Sequence, residues 1–543
     1  MMLFILNVGV RLHMWWVKFH SWCPFLQKTT NPDCHQLRLL KQVIQKNQTT
    51  QFGERYSFRE IQSLEQFQRQ IPISTYEELE PWMASQIQGQ SALSPSMAKH
   101  YTQTSGTTGQ PKNLPIFPHT RKALRKSQQQ QTYSIFQRIP QAFEGRLFSM
   151  VSPEIEGYLE TGQSIGSLSG LLYNNLPYIV RRFKGVLNEG VLSIADYDEK
   201  YLIMAQFAAA TEDVTLLSTA NPSSIIKLVE VMKQRWAEVL DGVRYGNRFG
   251  LRANESRYQQ LLQIDSQKVT LDLVWPQLSA ITTWTKASCQ CLISKVKRLT
   301  NRCVPILDLG YISTEFRGNI MISYEEDLGL PLVEGHFYEF VKPQDWENRK
   351  CPLSIPVKMI DEVVEGESYY VVVTNQHGLY RYFINDLVII GPRYEKTPSL
   401  HFLRKGSGMM NLKGEKLSES QICQAVRQVA DQLGLQVHFF VMLACQKQLR
   451  YELLLECDEM WSEPQFASLL DSALQALNIE FQAKRQSKRL EAIEVSILTR
   501  GAGDAFKRQA VEKGQRENQY KVQVLQCKQA CSFDFTPFLA DSI

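Results

Sequence analysis

The chain has 543 residues, 43% of them hydrophobic, with 60 Lys+Arg against 55 Asp+Glu and a formal net charge of +5 at pH 7. Single hydrophobic cores stop growing near ~250–300 residues, so more than one domain is expected. The near-balanced charge supplies no field for nucleic acid or a membrane, and neither is expected as a partner. The eleven scattered cysteines are odd in number and form no Cys-x-x-Cys pair. They favour neither a disulfide framework nor a zinc site and point to a reducing, cytoplasmic compartment.

The first ten residues are apolar apart from Asn7, and Arg11 and His13 follow. That is short of the ~20 apolar residues of a membrane span and lacks the basic lead of a signal peptide, so an opening helix is expected. Leu37, Leu40, Val43 and Ile44 recur at helical spacing over residues 36–46. Residues 47–53 and 71–77 read as a helix end and a connector.

Next comes Thr104-Ser-Gly-Thr-Thr-Gly109-Gln-Pro-Lys112. Gly106 and Gly109 let backbone N–H groups turn inward around an anion. Ser105, Thr107 and Thr108 add hydroxyl donors, and Lys112 adds a mobile charge suited to phosphate. The spacing is not that of a Walker A loop, because the glycines are three apart and Asn113 follows the lysine.

Residues 146–153 and Val214–Thr219 read as short buried strands. Asn221-Pro-Ser starts a helix whose stripe is Ile225, Val229, Met232, Trp236 and Leu240. Strand-then-helix alternation predicts an α/β sandwich with a mainly parallel sheet. Residues 275–284 read as a turn entering a strand. The apolar run 304–309 ends at Gly310 and leads into Tyr311-Ile-Ser-Thr-Glu315-Phe-Arg-Gly318, so this motif sits at a strand's carboxyl end, where open α/β sheets bind ligands.

In His377-Gly-Leu-Tyr-Arg381-Tyr-Phe-Ile-Asn-Asp386, the flanking runs 369–374 and 387–390 read as strands, with Asp386 at their junction. An ionised aspartate is an acceptor suited to a cis-diol; alternatively, Arg381 is part of a structural ion pair. Gly406 and Gly408 mark a boundary. Ser418 with Gln421 forms a capping box for a helix carrying Ile422, Val426 and Val429 inside. Strands at 437–443, 451–457 and 492–498 and a helix at 466–477 complete a small α/β lid. The cluster Lys484, Arg485, Lys488 and Arg489 reads as a solvated face.

Thr104 to Lys112 resembles the phosphate loop of the adenylate-forming enzymes. Within that superfamily the chain resembles the auxin-responsive-promoter family of acyl acid amido synthetases, its bacterial branch most closely. Five motifs occur in the family's order over essentially the whole length, ending in Gly514-Gln-Arg-Glu-Asn518-Gln-Tyr520-Lys521. The resemblance implies a large N-terminal domain (residues 1–404) with mainly parallel sheets that binds ATP and the acyl acid, and a mobile α/β C-terminal lid (405–543).

It further implies that Thr104, Ser105, Gly106, Thr107, Thr108, Gly109, Lys112, Tyr311, Ser313, Arg381, Asp386 and Arg404 contact ATP or AMP. Tyr311 would stack on adenine, Asp386 would accept the ribose hydroxyls and Glu315 would hold Mg²⁺. Thr314 meets the α-phosphate on the same analogy, while Lys416 and Lys521 neutralise charge around it. The implied reaction activates a small carboxylic acid as its acyl-adenylate and transfers it to an amine such as an amino acid, in a monomer. A thioester-forming ligase and an inactive homologue remain alternatives. Two departures bear on the base pocket: Thr285-Lys-Ala-Ser288 stands where the family has small residues and glycine, and Asn385 replaces the glycine before Asp386.

Overall fold

The computed structural model describes residues 2–103, 112–406, 409–410, 412–413, 415, 417–418, 419–458, 461–513, 520 and 522–540. It divides into two units, Met1–Thr285 with Ile293–Phe402, and Lys286–Leu292 with Leu403–Ile543.

The first unit contains an all-parallel sheet in the order Arg146–Met150, Val214–Thr219, Ala280–Thr283, Ile306–Asp308. Val214–Thr219 and Ala280–Thr283 are buried at nearly every position, as strands covered on both faces require. The helices Tyr197–Ala210, Pro222–Gln234 and Trp236–Tyr245 share one apolar core with this sheet. Asn221 caps the second of these helices by accepting from Ser223 N at 3.0 Å. The stripe expected to run unbroken from Ile225 to Leu240 is divided between two helices, because Arg235 leaves helical geometry at φ −119°, ψ 33°.

An antiparallel sheet, His336–Val341, Ser368–Asn375, Tyr382–Tyr394, Thr397–Lys405, carries the second half of the site. Its aromatic-rich face packs on the helix Pro32–Asn47, which buries Leu39, Leu40, Val43 and Ile44. Leu37 lies outside that face and is 47% exposed. Gln36 is buried in its place, donating to Val333 O and His336 O and accepting from Tyr338 N at 2.7–2.8 Å. Asp386 does not end a strand: it lies inside Tyr382–Tyr394, where the ladder slips from Val372↔Phe383 to Tyr370↔Leu387. Asn385 sits in that irregularity with φ +61°, a conformation Asn tolerates better than most residues.

The chain opens with a helix, Met2–Val17, that runs through a π-helical turn, Lys18–Trp22, into Cys23–Lys28. Met14, Val17, Trp22 and Phe25 are buried in one cluster, while Leu12 and Trp15 face outward. No described helix is long and apolar enough to cross a membrane.

In the second unit a four-stranded sheet, Glu494–Leu498, Arg450–Cys457, Val437–Cys445, Leu525–Cys527, packs on the helices Glu419–Leu433 and Glu463–Leu477. The capping box of Ser418 and Gln421 is formed, and Ile422, Val426 and Val429 face inward.

Candidate active site

The strand Ile306–Asp308 delivers the first group of residues. The Asp308 carboxylate accepts from Gly310 N at 2.6 Å and Thr285 N at 2.9 Å, and from the Thr285 hydroxyl. Gly310 adopts φ +77°, and a Cβ there would lie 2.6 Å from Asn319 Oδ1. That oxygen accepts from Tyr311 N at 2.7 Å, while Asn319 Nδ2 donates to Leu400 O at 2.7 Å. Gly318 makes room for the Tyr311 ring, which a Cβ would approach to 2.1 Å.

So placed, Tyr311 stacks on Phe402 with ring centroids 5.3 Å apart, meets Phe316 edge-on, and donates its hydroxyl to Asp386 Oδ2 at 2.6 Å. Two motifs 75 residues apart are thereby joined by one buried hydrogen bond. Burial and the Asp386 carboxylate hold the Tyr311 hydroxyl well above its usual pKa, so it remains a donor. Tyr382 is also buried, and the charges of Glu315 and Asp386 both raise its pKa further.

Lys112, at the exit of the glycine-rich loop, sets its ammonium 5.0 Å from the centre of the Tyr76 ring. The Tyr76 hydroxyl accepts from Asn113 N at 3.0 Å, and Glu315 is among the charges acting on it. The Ser313 Oγ is buried without a hydrogen-bond partner among the described residues, and its backbone N–H donates to Phe316 O at 2.9 Å.

Thr314 and Glu315 line a cavity of about 120 Å³ whose other walls include Leu114, Leu124, Leu332 and Leu379. Two histidines border it. Burial lowers His336 to a pKa of about 3 and His377 well below the usual range, so both are neutral. Thr120 Oγ1 lies 2.8 Å from His377 Nδ1, and His336 Nδ1 has no hydrogen-bond partner among the described residues. Glu334, also on the wall, is satisfied by Lys28, Lys126 and Gln130.

Arg381, expected to contact the nucleotide, turns inward instead. Its Nε and Nη2 each lie 2.9 Å from Glu339, and its Nη1 donates to Gln68 O and Ile71 O at 2.8 Å. Both partners are at most 2% exposed. These contacts are those of the structural ion pair that the sequence offers as the alternative, and they tie the guanidinium to the carbonyls of Gln68 and Ile71. Arg404, in the second unit, donates from Nη1 to Lys405 O at 3.1 Å. Thr104, Ser105, Gly106, Thr107, Thr108, Gly109, Gly408, Lys416 and Lys521 lie outside the described residues.

The structure adds residues that the sequence reading did not single out. Asn319 pins Tyr311, and Glu339 fixes Arg381. The buried Glu415 accepts from Leu412 N at 2.6 Å, Lys413 N at 2.7 Å and the Tyr451 hydroxyl, and so anchors the turn next to Lys416. A glutamate inside the apolar strand His-Phe-Tyr-Glu-Phe-Val was the available signal for a buried pair. The Asn319 role has no counterpart in local pattern. At the departure from the family's glycine, Ala287 takes φ +52°, the left-handed region that glycine occupies freely.

Comparisons with known proteins agree with this architecture. Residues 24–306 match the GH3 family N-terminal domain, 329–405 its central domain and 420–530 its C-terminal domain. The chain is 21% identical over 548 residues to the 4-substituted benzoates-glutamate ligase GH3.12 of Arabidopsis thaliana, covering 91% of this chain and 93% of that protein. It is 22% identical over 545 residues to the jasmonoyl–L-amino acid synthetase JAR4 of Nicotiana attenuata, covering 90% of each. Among solved structures, the GH3.15 acyl acid amido synthetase superposes with a TM-score of 0.79 at 17% identity over 91% of both chains. A 2-hydroxyisobutyryl-CoA ligase in its postadenylation state shares the broader fold, with a TM-score of 0.55 at 13% identity over 90% of this chain and 94% of that one. With more than half of its length matched by the N-terminal domain alone and the other two domains following in order, the chain belongs to the GH3 family.

Proposed function

We propose that this protein is an ATP-dependent ligase that joins a small carboxylic acid to an amine, with an amino acid as the acceptor. A carboxylate oxygen attacks the α-phosphorus of ATP, and the bond to pyrophosphate breaks. The amine nitrogen then attacks the acyl carbon, the bond to AMP breaks, and the amine's proton passes to solvent. A free carboxylate resists such attack because its charge is delocalised; the mixed anhydride supplies AMP as a leaving group. The protein's contribution is positioning and charge stabilisation.

The observation that carries this reading is the joining of Tyr311 to Asp386 beside a cavity whose wall holds Thr314 and Glu315. Asp386 would fix the ribose, and Thr314 with Ser313 would meet the α-phosphate. The cavity would take the acid. The glycine-rich loop and Lys112 would cradle the phosphates, with Lys416 and Lys521 adding charge from the second unit. Mg²⁺ takes oxygen ligands and usually only one or two carboxylates beside phosphate oxygens, and Glu315 would supply one. When bound, the ion would neutralise phosphate charge. The names of the relatives, several of them amino acid ligases, support an amino acid acceptor.

The test is pyrophosphate exchange over a panel of carboxylic acids, followed by AMP release with amino acids or with coenzyme A. Exchange with a subset of acids and acceleration by amino acids are expected. Asp386→Ala should weaken ATP binding in calorimetry by about 1.5–3 kcal/mol, the worth of a charge-assisted hydrogen bond. Acceleration by coenzyme A alone would make the protein a thioester ligase, and unchanged ATP affinity in the variant would remove Asp386 from the site.

A further inference from the structure

One charged side chain on the cavity wall has no part in the reaction above. Arg317 lines the cavity and is 5% exposed. Its Nη1 donates to Leu309 O at 3.3 Å, and its Nε has no hydrogen-bond partner among the described residues. Among the described residues no carboxylate pairs with it; the group acting on its charge is the Tyr324 hydroxyl, which burial keeps neutral. Desolvation, partly offset by Tyr324, lowers the Arg317 pKa to about 10, which still leaves the guanidinium charged at neutral pH.

Glu315, on the same wall, is not among the groups acting on the Arg317 charge. Glu334 is held between Lys28 and Lys126, and Arg381 is paired with Glu339. His336 and His377 are neutral. Arg317 is thus a buried cation without a counter-charge among the described residues, an arrangement that costs several kcal/mol unless something anionic pairs with it. A guanidinium presents a planar fork of donors that fits a carboxylate.

The reacting carboxylate does not suit this role. It must reach the α-phosphate, and its negative charge is consumed when the mixed anhydride forms, which would leave Arg317 uncompensated midway through the reaction. A carboxylate at the far end of the substrate keeps its charge through both steps.

We propose that the acid substrate carries a second, unreacting carboxylate that seats on Arg317, so that this ligase takes short dicarboxylic acids. The proposal rests on the ligase reading above. The cavity, at about 120 Å³, is smaller than the ~150 Å³ cavity known to hold benzene and suits acids on the order of four to six carbons. It is too small for a bicyclic aromatic acid.

The experiment compares length-matched acids, valerate with glutarate and hexanoate with adipate, by pyrophosphate exchange on the full chain, in the wild type and in Arg317→Gln. Thermal melting with and without glutarate runs in parallel. The wild type should prefer the dicarboxylate of each pair by about 10–100-fold in kcat/KM, the range of a charged hydrogen-bond pair. Arg317→Gln should lose that preference yet keep exchange with the monocarboxylates, and without ligand it should melt no lower than the wild type. Glutarate should raise the melting temperature of the wild type and not of the variant.

Equal use of valerate and glutarate by the wild type overturns the proposal. So does an Arg317→Gln variant that melts lower and loses both acids alike, since that is the behaviour of a structural arginine. If glutarate stabilises the wild type through Arg317 but no acid supports exchange, the anion site stands and the ligase reading falls.

Discussion

Tyr311 and Asp386 show how one buried hydrogen bond can set a site. The hydroxyl reaches the carboxylate only because Gly318 clears the ring, Asn319 holds the backbone amide, and Gly310 takes a left-handed turn. The same neighbourhood carries a pH dependence. His336 is enclosed by Phe316, Tyr338 and His377, and burial lowers its pKa to about 3, against ~6.5 in an unfolded chain. Between these values the unfolded state binds a proton that the folded state does not. Its contribution is therefore intact above ~6.5 and is lost as pH falls towards 3, at up to about 1.4 kcal/mol per pH unit. Denaturant titrations at pH 7 and pH 5 should show about 2 kcal/mol lost through this group, and His336→Asn should remove that share of the difference and leave the share that the likewise buried His377 carries. An equal loss in the variant would assign the pH dependence elsewhere.

At the level of elements, two backbone positions do the work of glycines. Asn385, at φ +61°, forms the irregularity that lets Asp386 sit inside a long strand, and Ala287, at φ +52°, occupies the departure from the family pattern. A left-handed residue with a Cβ costs roughly 1–2 kcal/mol, less for Asn and most for β-branched side chains. Asn385→Val should therefore destabilise the first unit by about 2 kcal/mol or more and lower ATP affinity along with it, because Asp386 is the next residue. Ala287→Gly should stabilise by about 1 kcal/mol. Chemical denaturation with calorimetric ATP titration measures both. Wild-type stability in Asn385→Val would mean that the strand can relax without the left-handed turn.

On the scale of the whole molecule, the residues proposed for catalysis are divided between two units, with Asp386, Thr314 and Glu315 in the first and Lys416 and Lys521 in the second. A lysine that acts only on charge developing in the transition state lowers kcat when removed and leaves ground-state binding intact. Lys521→Ala should slow single-turnover AMP formation by at least about tenfold with ATP affinity and melting temperature unchanged. Wild-type turnover in this variant would make Lys521 a surface charge.

The sequence by itself determined the α/β class and the succession of elements. Those are written in local signals: apolar runs for the strands of the parallel sheet, Ser418 and Gln421 for a helix start, and Gly310 before Tyr311. Asn385 was legible too, because tolerance of positive φ belongs to the residue itself. Local pattern could not show that Trp236 begins a new helix, since the apolar stripe continues across the break at Arg235. Nor could it decide the fate of charged side chains. Arg381 and Arg317 look alike in sequence, each beside a motif residue and each able to reach a ligand. Arg381 is fixed by Glu339, 42 positions away, and Arg317, one of the residues lining a cavity, has no carboxylate partner among the described residues. Which buried charge is matched and which is left for a ligand depends on what the fold brings within about 3–4 Å, because desolvation penalises both equally and only contact compensates it.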